Sequence, residues 1–97
     1  MRPKKTRWVK CSPSQRFFRP QTNINGTHDG IVLTLDEFEA VRLLDYKGLS
    51  QIEAAVEMRV HRSTVSRIIS SARKKIAQAL VEIKILKIAG GCCKVTK

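Results

Sequence analysis

Ser63, Thr64, Ser66 and Arg67 bring three hydroxyls and one guanidinium into a short stretch of chain. Groups of this kind donate hydrogen bonds to base edges, and a guanidinium paired bidentately with guanine discriminates by about 1–3 kcal/mol. Arg67 is therefore the leading candidate for a base contact, with Ser63, Thr64 and Ser66 as lesser ones. Arg62, Arg73, Lys74 and Lys75 surround them with cations suited to phosphate oxygens, which add affinity and salt dependence without reading sequence. With Val65 taken as inward and about 100° per residue, Val65, Ile68, Ile69, Ala72 and Ile76 fall on one side of a helix. Ser63, Arg67, Ser70, Ser71 and Lys74 fall on the other. That outer face holds no acid and no bulky apolar group, so a polyanion can approach it without repulsion. A solvated basic face on an ordinary helical bundle has the same pattern, and the neighbouring elements must distinguish the two.

Those elements are legible. Thr34-Leu35-Asp36-Glu37 is a capping box, in which a hydroxyl residue opens a helix and a glutamate three residues on reaches back to it. Leu35, Phe38, Val41 and Leu44 continue the helix as an apolar stripe that Leu43 widens, with Glu37, Glu39 and Arg42 mostly outside it. Gly48 stops it. The box recurs at Ser50-Gln51-Ile52-Glu53, so a second, shorter helix begins almost at once; Ser50 and Gln51 at its N-terminus are candidates for phosphate contacts. Arg59-Val60-His61 separates it from the third helix, whose apolar positions run through Ala79, Leu80 and Ile83. Two helices joined by so short a turn, the second long and basic, are the parts of a helix-turn-helix. Small residues at Ala54 and Ala55 let the two helices approach closely, and Val60 can tuck beneath both.

The flanks read differently. Pro3, Pro13, Pro20, Asn23, Asn25, Gly26 and Gly30 forbid a long helix in residues 1–30, leaving an arm with short extended pieces at Arg7 to Cys11 and Gln15 to Arg19 and a loop from Gln21 to Gly30. Arg2, Lys4, Lys5 and Arg7 on this arm are suited to following a minor groove, and equally to a disordered solubilising tail. Trp8, Phe17 and Phe18 are expected in the core, because a domain this small needs its large apolar groups. Ile83 to Ile88 is rich in β-branched residues and predicts a short strand before Gly90-Gly91; it is also a candidate pairing segment. Cys11, Cys92 and Cys93 with His28 or His61 are donors without metal-ligand spacing, so no metal and no cofactor is expected. Cys92 and Cys93 beside Lys94 are instead candidates for oxidant-sensitive thiols.

Charge separates along the chain more sharply than its total of +11 conveys. Residues 1–20 hold seven basic and no acidic side chains, residues 21–60 three and seven, and residues 61–97 nine and one. An acidic middle between basic flanks fits a scaffold bracketed by polyanion-binding surfaces. With 97 residues, 42% of them apolar and 5% aromatic, one domain with an aliphatic core is expected, and base-stacking platforms are not. No run approaches the length of a membrane span, since Lys84 and Lys87 break the most apolar one, and the basic N-terminus leads into no signal-peptide segment. A cytoplasmic location is the resulting expectation. Neither a nucleophile motif beside His28-Asp29 nor a phosphate-cradling loop is present, so an enzyme is not expected.

The span Leu33 to Leu80 resembles the helix-turn-helix of the fourth region of bacterial sigma factors. Nearly the whole chain resembles a small prokaryotic family of DNA-binding character, domain of unknown function 134. Arg2-Pro3-Lys4-Lys5, Phe18-Arg19-Pro20, Leu33-Thr34-Leu35-Asp36-Glu37, Gly48-Leu49-Ser50-Gln51, Ala54-Ala55, Ser63-Thr64-Val65-Ser66-Arg67-Ile68 and Ser71-Ala72-Arg73-Lys74-Lys75 carry the likeness. Two positions depart from it. Arg59 stands where such motifs carry a turn glycine, and His61 where a serine cap is common. The elements read above make a mainly helical helix-turn-helix bundle with short terminal strands, divided into an arm at 1–30, a helical domain at 31–83 and a strand and tail at 84–97. The resemblance implies DNA binding and a role in transcriptional regulation, with double-stranded DNA the expected partner. A dimer or higher homo-oligomer is expected, since one helix-turn-helix covers few base pairs. The same charge also fits an RNA-binding or ribosome-associated protein, and the sigma-factor likeness fits an adaptor docking on RNA polymerase.

Overall fold

The computed structural model describes residues 7–9, 16–20, 30–90 and 93–95. Its centre is helical: α1 at Leu35–Val41 runs directly into a π-helical turn at Arg42–Tyr46, followed by α2 at Gln51–Met58 and α3 at Arg62–Val81. Short strands flank the helices, β1 at Arg7–Val9, β2 at Arg16–Phe18, β3 at Gly30–Leu33, β4 at Ile85–Ile88 and β5 at Cys93–Val95. The protein is thus mainly helical with a helix-turn-helix arrangement, as the periodicity predicts.

Helices α1 and α2 start where their capping residues place them. At α1 the Glu37 carboxylate accepts the Thr34 N–H at 2.9 Å and the Thr34 hydroxyl at 3.0 Å. At α2 the Ser50 hydroxyl accepts the Glu53 N–H at 3.1 Å while the Glu53 carboxylate accepts the Ser50 N–H at 2.9 Å, completing the reciprocal box. Gly48 between them sits at φ 78, where a side chain would be strained. Before α3, the His61 imidazole makes no cap; the His61 carbonyl instead receives the amides of Thr64 and Val65 at 3.0 and 3.2 Å.

The π-helical turn corrects the stripe expected for α1. The Lys47 amide reaches back five residues to the Arg42 carbonyl at 2.9 Å, and the widened turn rotates the following side chains. Leu43 becomes fully buried and Leu44 is only partly so. Leu43 joins Ala40, Ala54, Met58, Val65 and Ile69 in a core made by helices alone.

A second core cluster joins helix to sheet. The strands order as β2-β4-β3, antiparallel on the β2 side and parallel on the β3 side. Leu33 lies opposite Ile88 in that register, and both pack on Ala72 of α3. Ile85–Ile88 is therefore not part of a separate tail, because β4 completes a sheet begun at Gly30. The expected divisions at 30/31 and 83/84 cut through one packed unit. β1 pairs in parallel with β5 and contacts α1 and α2, with Val9 fully buried. Part of the expected arm thus belongs to the fold. The loop expected at Gln21 to Gly30 lies outside the described residues, apart from Gly30 itself.

Burial overturns three further expectations. Phe17 and Phe18 are 57% and 65% exposed, since β2 is a three-residue edge strand hydrogen-bonded only to β4. Leu80 and Ile83 are 75% and 48% exposed, since the layers covering α3 end near Ala79. Glu37 and Glu39, expected outside the stripe, are buried at 6% and 1% exposure. Burial of a carboxylate is tolerable when it is paired: Glu39 accepts two hydrogen bonds from the Arg42 guanidinium at 2.6 and 2.9 Å, and Glu37 is held by α3.

Candidate nucleic-acid interface

The geometry of the third helix is set by the turn before it. Arg59 ends α2 at φ 57, ψ 44, the left-handed conformation usually given to glycine. Its amide bonds the Val56 carbonyl at 3.3 Å and the Val60 amide bonds the Ala55 carbonyl at 3.0 Å, which together form a Schellman motif. Val60 is thereby turned onto the helical core. The Arg59 guanidinium lies 4.1 Å from the centre of the Trp8 ring, a cation–π contact that ties β1 to the turn.

On α3 the two faces separate as the helical angles predict. Val65, Ile68, Ile69 and Ala72 are buried, whereas Ser63, Arg67, Ser70, Ser71 and Lys74 are exposed. Thr64 and Ser66 are half-buried on the flanks of that ridge, and Arg62 stands exposed at its start. Arg62, Arg67 and Lys74 have no ion-pair partner among the described residues. The ridge can therefore present three uncommitted cations and the Ser63 hydroxyl to one surface.

One residue of the expected face, Ser71, and two of the expected phosphate contacts, Arg73 and Lys75, are committed elsewhere. The Ser71 hydroxyl donates to Glu37 at 2.5 Å and the Lys75 ammonium donates to it at 2.7 Å, so α1 and α3 are joined through one carboxylate. Burial pushes the Glu37 carboxyl up, but the donors Lys75, Ser71 and Thr34 outweigh it and hold the group below its ordinary range. Arg73 makes two hydrogen bonds to Asp45 of the π-helical turn, at 2.6 and 3.2 Å. The Arg73 hydrogen bonds lower the Asp45 pKa, and the reciprocal bond raises that of Arg73. Lys75 thus ties α3 to α1, and Arg73 ties it to the π-helical turn. Charge counting could not separate them from Lys74, because their partners lie 28 and 38 positions away. The i, i+4 spacing of Ser71 and Lys75 was the local signal that both share one edge of the helix.

Ser50 is exposed at the start of α2, and Gln51 beside it is half-buried with a buried Oε1 that has no hydrogen-bond partner. Arg7 lies on β1, paired in register with Cys93. Arg2, Lys4, Lys5, Cys11, His28 and Cys92 lie outside the described residues. Among the described residues no three His, Cys, Asp or Glu side chains gather as a metal site, and no helix is long and apolar enough to cross a membrane.

Residues 1–96 match the family model described as "Protein of unknown function DUF134". The chain is 46% identical over 94 residues to the UPF0251 protein of Caldanaerobacter subterraneus subsp. tengcongensis, covering 97% of this chain and 80% of that one. It is 46% identical over 90 residues to the UPF0251 protein of Thermoanaerobacter pseudethanolicus, covering 93% and 76%. It is 43% identical over 91 residues to that of Methanosarcina mazei, covering 94% of this chain and 56% of its longer relative. No solved structure gives a significant match.

Proposed function

This chain belongs to the DUF134 family, and we propose that it binds double-stranded DNA sequence-specifically through its helix-turn-helix and acts in the cytoplasm as a transcriptional regulator. The observation that carries this reading is the exposed ridge of α3, where Arg62, Arg67 and Lys74 stand uncommitted on a helix whose opposite face is locked into the core. A straight helix of this length spans about 30 Å, and its N-terminal half fits the major groove. In this reading Arg67 meets a guanine edge, with Ser63, Thr64 and Ser66 beside it. Arg62 and Lys74 meet phosphates, and Ser50 and Gln51 add contacts from the start of α2. Arg73 and Lys75 hold the ridge at its angle instead of touching DNA.

The contact between Trp8 and Arg59 supports a place for the arm as well. It roots β1 beside the turn, and in this reading Arg2, Lys4 and Lys5, which lie outside the described residues, follow a neighbouring minor groove. Selection of bound duplexes from a random pool, followed by competition at fixed salt, tests the proposal. Preferred duplex should displace random duplex and structured RNA. Displacement of preferred duplex by structured RNA at equal stoichiometry would overturn it in favour of an RNA-binding role, and retention of RNA polymerase after nuclease treatment would favour an adaptor.

A further inference from the structure

An apolar groove of about 280 Å³ opens where the far end of α3 meets the three-stranded sheet. Phe18, Leu80, Ile83 and Leu86 line it, and the first three are 65%, 75% and 48% exposed. Ile83 occupies this rim at φ 55. A β-branched residue is disfavoured there, and glycine would serve folding better. The backbone thus holds a large apolar side chain at a surface that nothing among the described residues covers.

We propose that this groove is the contact between two copies of the chain related by a two-fold axis, and that the pair carries two reading helices onto adjacent half-sites. Self-association stands independently of DNA; the second clause rests on the reading above. Three observations favour a second copy as occupant. First, the patch is self-complementary, since Leu80 projects beside the cavity it helps to line, as a two-fold contact requires. Secondly, this end of α3 carries both signs of charge, so two copies can meet here with opposite charges apposed. Glu82, the sole acid in residues 61–97, lies at this end of α3 with its carboxylate 3.2 Å from the Lys84 ammonium, and Arg19 also lines the groove. A two-fold axis through the groove brings Glu82 of one copy toward Arg19 and Lys84 of the other. Thirdly, Phe18, Leu80 and Ile83 offer on the order of 350 Å² of apolar surface per copy. With the charged rim, a pair approaches the roughly 1,000 Å² of a specific contact. That area implies a reversible, concentration-dependent dimer. Along α3, Arg67 and Leu80 are about 20 Å apart, so the paired reading segments span up to about 40 Å and reach half-sites about 34–36 Å apart.

Sedimentation velocity on the intact protein without DNA, from micromolar to submillimolar concentration, tests the contact. The mass should rise from one chain toward two. Leu80→Glu should weaken association about tenfold or more while leaving the melting temperature unchanged, since Leu80 is exposed. Glu82→Lys alone should also weaken it, and an equimolar mixture of the Glu82→Lys and Lys84→Glu proteins should associate more tightly than either alone, which an effect confined to one chain would not produce. A wild-type protein that stays a single chain, or Leu80→Glu that associates like wild type, would overturn the proposal. A normal dimer that binds an inverted pair of selected half-sites no more tightly than one half-site would overturn its second clause, and a dimer that binds no duplex would instead refute the DNA reading while leaving the contact standing.

Discussion

Lys74 and Lys75 are neighbours with opposite employment. Lys74 faces solvent, whereas Lys75 serves a buried carboxylate. Lys75→Met should therefore lower stability by about 1–3 kcal/mol, the cost of leaving Glu37 short of a donor, with the salt dependence of DNA binding unchanged. Lys74→Ala should leave the melting temperature alone and reduce the slope of log K against log salt by about 1. Arg67→Ala should cost about 1–3 kcal/mol on the selected duplex and less on random DNA; equal losses would remove Arg67 as the base-reading residue. Thermal melts and fluorescence anisotropy over a salt series separate these outcomes. The Glu37 linkage also predicts acid sensitivity. Its carboxyl is depressed in the folded state from an ordinary value of 4.5, so its stabilising contribution is complete above that pH and is lost as pH falls through the lower folded value. Glu37→Gln should flatten that part of the stability–pH curve, measured by urea denaturation between about pH 6 and 3.

Arg59 and Ile83 end α2 and α3 in the left-handed conformation, and Lys84 bonds back to the Ala79 carbonyl just as Val60 does to Ala55. A non-glycine residue there costs roughly 1–2 kcal/mol, but Arg59 recovers part of it from the Trp8 ring, a contact of about 0.5–2 kcal/mol. Arg59→Ala keeps the strain and loses the ring, so it should destabilise by about 1 kcal/mol; Arg59→Gly loses both and should be close to neutral. Chemical denaturation of the two variants checks the difference. The helices were legible because their signals are local: two capping boxes, the stop at Gly48, and the stripe Val65, Ile68, Ile69, Ala72. The positive φ at Arg59 was implied by the family's glycine at that place. The π-helical turn was not legible, since Leu43 and Leu44 fit the apolar pattern in either phase. The burial of Glu37 and Glu39 was equally hidden, because helical angles locate a side chain on its own helix and say nothing of Lys75 arriving from another.

The helical core draws on residues 40–69, whereas the second cluster needs Leu33, Ala72 and Ile88 together. Strand β3 was missed in the sequence for that reason: Gly30–Leu33 is short, leads into a capping box, and acquires its meaning from a partner more than fifty residues later. Ending the chain after Lys84 should leave the helical cluster but remove β4, giving a less cooperative transition with a smaller denaturant m-value than the full chain. Parallel pairing across so long a loop forms slowly compared with helix contacts. On the ribosome, Leu33 emerges early and waits for Ile88 to be synthesised before its oily side can be sealed. The last strand of the sheet therefore acts as a clasp, and a nascent chain stalled short of it leaves a sticky edge for chaperones or proteases to find.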